Sequence, residues 1–304
     1  VKPPLLIVGH GTRDDEGVAE FGRFVGRLRD RMPVEVAGGF IELSQPPLTD
    51  AVAELFERGH RRVAAVPLVL VAAGHGKGDI PAAMNRELTR HPGLSYAYGR
   101  PLGPHPTLLS LLEERLTAVL DPAERAGTAV LLVGRGSTDP DANAEVHKVA
   151  RLFWETRWAG GRAGAAEGGG GHGTEPAFVS LAWPGVSEGL ERCRRLGARR
   201  VVVLPYFLFP GVLPDRVAAQ AREYAAGHPE LDVRCADVIG DCDGLADLVA
   251  ERYEEALAGD IRMNCDTCVY RIAMPGFADR LGAPQRPHHH PDDPTHGHGH
   301  AHAH

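Results

Sequence analysis

Apolar residues along this chain fall in short runs closed by glycine. Leu5-Leu6-Ile7-Val8 ends in Gly9-His10-Gly11, and Val66-Pro67-Leu68-Val69-Leu70-Val71 leads to Gly74-His75-Gly76. Such runs read as buried strands of a parallel sheet. The first part of the chain predicts strands near 4–9, 34–41, 62–71 and 95–101, with helices near 14–31, 47–59, 80–90 and 105–120. The second part predicts strands near 129–134, 176–182, 200–208 and 232–239, with helices near 140–158, 185–196, 214–226 and 243–258. Asp14-Asp15-Glu16 places acid where the first helix begins, which suits its dipole. Strands alternating with helices of this length predict an α/β fold whose parallel sheets carry helices on both faces.

The pattern occurs twice. Leu6-Ile7-Val8-Gly9-His10-Gly11-Thr12 matches Leu131-Leu132-Val133-Gly134-Arg135-Gly136-Ser137, a shift of 125 residues. Phe40-Ile41-Glu42-Leu43 matches Phe178-Val179-Ser180-Leu181, and Val66-Pro67-Leu68 matches Leu204-Pro205-Tyr206, a shift of 138. The extra residues fall in the Gly-rich stretch 160–173, which reads as a flexible surface loop. The expected organisation is two duplicated half-domains, 1–125 and 126–260, facing each other across a cleft. A Cys-x-x-Cys segment, 261–283, and a disordered His-rich tail, 284–304, follow.

Composition narrows the partners. A net charge of −7 argues against nucleic acid and acidic membranes. No run is long enough to span a bilayer, and the start of the chain does not read as a signal peptide. Five cysteines, an odd and sparse set, do not read as a disulfide framework, so a cytoplasmic protein is expected.

The two halves differ where chemistry is expected. Ligands of open α/β sheets bind at the carboxyl ends of strands. There the first half carries His10, Glu42 and His75, and the second half carries Arg135, Ser180 and Leu213 at the matching positions. Two imidazoles in equivalent settings suggest a divalent transition metal or a base near neutral pH. Glu42 would orient an imidazole, share the ion or accept a proton, or else simply pair with an arginine.

These elements resemble the class II tetrapyrrole chelatases in their long form. The resemblance rests on Val8-Gly9-His10-Gly11-Thr12-Arg13, Phe40-Ile41-Glu42, Val66-Pro67-Leu68 with Gly74-His75-Gly76, and Leu102-Gly103-Pro104-His105-Pro106. The duplication, Met263-x-Cys265-x-x-Cys268 and the His-rich tail complete it. It covers essentially the whole chain. It implies nucleotide-independent insertion of divalent cobalt, or in relatives iron or nickel, into sirohydrochlorin or its precorrin form. His10 and His75 are the positions that match the family's metal-handling histidines. Arg13, Lys77 and Arg135 lie in strand-end loops where they would meet the macrocycle's carboxylates, and His105 is either a third cleft histidine or a residue of a helix start.

Cys265-x-x-Cys268 reads as half a zinc site, a redox pair or part of an iron–sulfur cluster. The resemblance implies the cluster. Cys235 and Cys242 would complete its ligands, or two chains would contribute two each, so a monomer and a homodimer both stay open. Cys193 falls mid-helix and reads as inert. Eight of the sixteen histidines lie between His288 and His304, a metal-collecting tail that should be dispensable for chemistry. Two rival enzymatic and non-enzymatic readings remain: iron insertion toward siroheme, and a metal-delivery protein in which tail and cysteines do the work. A duplicated periplasmic-type binding protein is disfavoured, because no signal peptide is read and because its lobes usually exchange strands whereas these halves read as single passes.

Overall fold

The computed structural model describes residues 2–158 and 172–259. The first half runs β1 (Leu5–Gly9), α1 (Asp15–Arg31), β2 (Val36–Phe40), α2 (Leu48–Glu57), β3 (Arg62–Pro67), a π turn at His75–Asp79, α3 (Ile80–Arg90), β4 (Ser95–Tyr98) and α4 (Pro106–Thr117). The second half runs β5 (Thr128–Gly134), α5 (Pro140–Phe153), a π turn at Trp154–Trp158, β6 (Thr174–Phe178), α6 (Val186–Arg195), β7 (Arg200–Pro205), α7 (Val212–Gly227), β8 (Asp232–Cys235) and α8 (Asp243–Ala258). Each half holds one four-stranded parallel sheet, of order β2-β1-β3-β4 and β6-β5-β7-β8.

Side-chain alternation along the strands builds five layers. Leu5 and Ile7 of β1 face inward, into one core shared with Val130, Leu132, Val202 and Leu204 of the second sheet. Leu6 and Val8 face outward onto α2 and α3, through Leu48, Val52, Ile80 and Met84. Leu131 and Val133 likewise face α6 and α7, through Val186, Leu190, Val217 and Ala221. The order is helices, sheet, helices, sheet, helices.

The middle layer departs from the single-pass expectation. α1 and α5 pack on their own sheets, but the last helix of each half crosses over: α4 packs on β7 and α8 on β3 and β4. Both helices present wide apolar faces, α4 through Leu108, Leu111 and Leu112, α8 through Leu245, Leu248, Val249 and Tyr253. An apolar face does not specify which sheet covers it. Polar contacts fix the choice. Arg252 on α8, buried, donates to the carbonyls of Pro101 (3.1 Å) and Leu102 (2.7 Å) beyond β4. Arg115 on α4 donates to the Ile239 carbonyl beyond β8 (2.6 Å).

Helix starts follow capping chemistry. Asp14 caps α1 by accepting from Gly17 N (2.8 Å), and Asp139 caps α5 by accepting from Asp141 N (3.0 Å), with Pro140 in the first turn. The predicted elements are all present. β3 is shorter than its apolar run because the run continues as a loop that buries Leu68 and Leu70 in the shared core. The predicted helix 140–158 is α only to Phe153 and finishes as the π turn.

Candidate functional site at the strand carboxyl ends

Backbone pairing carries β1 and β2 past their last ladder rungs and sets His10 beside Glu42. Ile41 N donates to Gly9 O (3.0 Å) and Glu42 N to His10 O (3.1 Å). Gly11 closes this contact at φ +116°, where a Cβ would lie 1.9 Å from the Glu42 carbonyl oxygen. Only glycine combines that conformation with so close an approach. Leu43 next takes the left-handed φ of 63°, which turns the chain away from the sheet.

The result is an imidazole–carboxylate pair. His10 Nε2 lies 2.9 Å from Glu42 Oε1, and its Nδ1 lies 3.3 Å from Gly11 O. The His10 side chain is 15% exposed and that of Glu42 40%, so the pair is sheltered on one side and open on the other. Two ligands about 2.1 Å from one ion stand about 3 to 3.4 Å apart for right-angled to tetrahedral geometry, so the pair is close enough to share a divalent ion. The second half repeats the backbone with other side chains. Ser180 N donates to Arg135 O (3.0 Å), Gly136 sits at φ +86°, and Leu181 at 61°.

Loops from opposite halves meet at these ends. Gly211, between β7 and α7, lies near Thr12 and Asp14, and a Cβ on Gly17 would meet the Pro210 carbonyl at 2.6 Å. On the other side, the loop after β3 is tied to the start of α5. The backbone of His75 opens the π turn before α3, and its side chain lies outside the described part of the structure.

The remaining candidates are placed as follows. Lys77 does not face a cleft: its side chain is 1% exposed, and Nζ bonds Asp139 (2.8 Å) and Asp141 (2.9 Å) of the second half. A buried ammonium needs such partners, because desolvation otherwise disfavours its charge. His105 is the N-cap of α4, accepting from Thr107 N through Nδ1 (3.2 Å), with Nε2 3.3 Å from Glu251. Burial lowers its pKa from the ordinary value. Arg13 is exposed, and Arg135 is half-buried at the position matching His10. Cys265, Cys268, the Gly-rich residues 159–171 and the histidine tail lie outside the described residues. Among the described residues no group of three or more His, Cys, Asp or Glu side chains gathers to hold a metal ion.

Sequence reasoning missed Glu145, a buried carboxyl on α5 that accepts from Ala72 N (2.8 Å). Burial pushes its pKa up to about 6. Sequence reasoning also missed the exposed apolar side chains Leu43, Leu181, Trp183 and Val212, all on strand-end loops or the helix start that follows one. The sequence carries no signal for them, since single apolar residues on a surface are common.

The fold is that of a duplicated, chelatase-like α/β protein. The CbiX family profile matches residues 4–119 and again 129–256, and the chain belongs to that family. It is 36% identical over 277 residues to a sirohydrochlorin cobaltochelatase of Priestia megaterium, covering 89% of this chain and 85% of the relative. It is 29% identical over 255 residues to a sirohydrochlorin ferrochelatase of the same organism, covering 84% and 90%. A half-length relative, a sirohydrochlorin cobaltochelatase of Sulfurisphaera tokodaii, is 30% identical over 122 residues, covering 40% of this chain and 98% of the relative. Among solved structures, SirB from Bacillus subtilis with Fe3+ superposes with a TM-score of 0.73 at 25% identity, covering 86% of this chain and 97% of that one. Among the described residues no helix is long and apolar enough to cross a membrane.

Proposed function

We propose that this protein inserts divalent cobalt into a sirohydrochlorin-type macrocycle without a nucleotide, using His10, Glu42 and His75 of the half 1–125. The observation that carries the reading is the His10–Glu42 contact at 2.9 Å at a strand end, in a chain 36% identical to a sirohydrochlorin cobaltochelatase. Metal insertion strips water from the ion and replaces two pyrrole N–H protons with one dication. The two protons leave the macrocycle as the metal–nitrogen bonds form. His10 and His75 hold the ion on one face of the ring. Glu42, the more exposed partner, receives the two protons one after the other and passes each to water. The exposed Leu43, Leu181, Trp183 and Val212 offer apolar surface to the ring, and Arg13 and Arg135 offer charge to its carboxylates.

Iron is the second metal that similarity favours, through the 29% identical ferrochelatase. Cobalt is preferred on the stronger similarity. An iron–sulfur centre on Cys265 and Cys268 is implied only by the Met-x-Cys-x-x-Cys element. Among the described residues, Cys235 and Cys242 belong to no group of three or more side chains that could hold a metal, so they supply no preformed ligand set for it. No step is routed through such a centre. The tail from Pro284 raises the local ion concentration by tethering.

The test is anaerobic insertion of Co2+ and of Fe2+ into sirohydrochlorin, read by absorption. Wild type, His10→Ala, His75→Ala and a chain ending before Pro284 are compared. Loss in both histidine variants with activity kept in the shortened chain is expected, and the faster metal names the reaction. Wild-type rates in both histidine variants would sink the site. Loss on tail removal alone would make the protein a metal-delivery factor.

A further inference from the structure

The segment that carries His75 leaves the first sheet at Pro67 and rejoins regular structure at Ile80. Around His75 three contacts that involve side chains fix it. Ala72 N donates to Glu145 Oε2 at 2.8 Å. The Gly76 carbonyl accepts from the Tyr98 hydroxyl at 2.8 Å. Lys77 Nζ bonds Asp139 Oδ2 at 2.8 Å and Asp141 Oδ2 at 2.9 Å. Tyr98 belongs to the first sheet; the other three residues belong to the start of α5 in the second half. The contacts bracket His75, three residues before it and one and two after.

The anchors on α5 are held in turn. Asp139 caps the helix with Oδ1, which leaves Oδ2 to meet Lys77. Glu145 lies one and a half turns further along the same helix and is 7% exposed. Burying a carboxyl and an ammonium is costly, and well-packed apolar residues often serve stability as well. The geometry that these contacts fix is that of the turn carrying His75.

We infer that Asp139, Asp141 and Glu145 of the second half are positioning residues for His75, clamping from across the pseudo-symmetric interface the turn that carries it. This assigns the second half a part in the reaction although it carries none of the three chemical residues at its own strand ends. The inference rests on the reading of His75 given above.

The experiment uses the full chain and compares wild type, Glu145→Ala, Glu145→Gln, Asp139→Asn and His75→Ala. Three quantities are read: amide hydrogen exchange across 68–79, Co2+ affinity from titration, and kcat separately from KM for sirohydrochlorin. Glu145→Ala should speed exchange in 68–79 about tenfold or more and leave α1 and β5 protected. It should lower kcat about tenfold with KM for the macrocycle unchanged, because small displacements of a reacting group cost rate strongly. Glu145→Gln, whose amide oxygen still accepts from Ala72 N, should recover most of the loss. Asp139→Asn keeps the cap but weakens the Lys77 contact, and should fall between them. Unchanged exchange in 68–79, or faster exchange with wild-type kcat and Co2+ affinity, overturns the clamp. So does exchange raised throughout the chain with no recovery in Glu145→Gln, which would mean a folding role alone. An inactive His75→Ala beside a fully active Glu145→Ala is the failure of the clamp; an active His75→Ala is the failure of the site reading beneath it.

Discussion

The loops after β1 and β2 and the loops after β5 and β6 are the same backbone carrying different chemistry. Both pairs extend the sheet by equivalent hydrogen bonds, Glu42 N to His10 O at 3.1 Å and Ser180 N to Arg135 O at 3.0 Å. Both hold a glycine at positive φ against the facing carbonyl, and a leucine near +60° one residue beyond it. Only the side chains part company: imidazole and carboxylate on one side, guanidinium and hydroxyl on the other. The loop geometry is therefore a scaffold requirement of the fold, and the His10–Glu42 pair is a separate property laid on it.

That separation can be broken or sharpened by substitution, from large effects to small. His10→Ala should reduce the insertion rate at least about 100-fold, the usual range for a lost base or ligand. Arg135→Ala at the matching position should change it less than about threefold and act through KM. Equal losses in the two variants, measured in the same absorption assay, would erase the distinction between halves.

Gly11→Ala and Gly136→Ala address the scaffold itself. A Cβ would stand 1.9 Å from the Glu42 carbonyl in one and 1.8 Å from that of Ser180 in the other. Both should destabilise by about 2–4 kcal/mol, from positive-φ strain and the clash together. Denaturant melts would show the two losses to be similar, and a harmless substitution in either half would mean that its loop is free to open.

Arg135→His with Ser180→Glu rebuilds the pair on the second scaffold. If loop geometry suffices to bring imidazole and carboxylate together, titration should reveal an added, weak Co2+ equivalent. Titration with no added equivalent would assign the first site's metal affinity to more than these two residues.

The last effect concerns Glu145, which lies on α5 and not at a strand end. Desolvation raises its pKa from 4.5 to about 6, with Asp141 adding to the rise and the Ala72 N–H, Lys77 and Lys148 opposing it. An acid whose pKa is raised by folding ionises first in the unfolded chain. Its contribution to stability is full below pH 4.5, declines as pH rises to 6, and is level beyond, a total of about 2 kcal/mol. Glu145→Gln lacks this slope, so the variant should gain about 2 kcal/mol relative to wild type between pH 4.5 and 7. Parallel stability profiles for the two proteins would mean that Glu145 titrates in the ordinary range.

Much of this was legible in the sequence. The glycine-closed apolar runs mark the strands, acid at 14–16 marks the first helix, and the mismatched repeat singles out His10 and Glu42, which lie 2.9 Å apart. Lys77 misled because a lysine in a loop ordinarily reaches solvent, and its two carboxylate partners lie more than sixty residues away on another helix. His105 was ambiguous because a histidine ahead of Pro106 serves equally as a cap or a ligand; its contact with Thr107 N makes it the cap. The crossing of α4 and α8 left no mark in periodicity, since an amphipathic stripe records that a face is buried and not what buries it.

The crossing has a consequence for how the halves came to differ. A chain holding one such half would present α4 with no sheet of its own to lie on, and a second copy would have to receive it. In a symmetric pair of identical chains every substitution is made twice, so a change that tunes one rim of the interface strikes the other rim as well. Written into one polypeptide, the two copies share a core yet mutate independently. One rim can then carry histidine and glutamate while the other carries arginine and serine, and a twofold object has a front and a back.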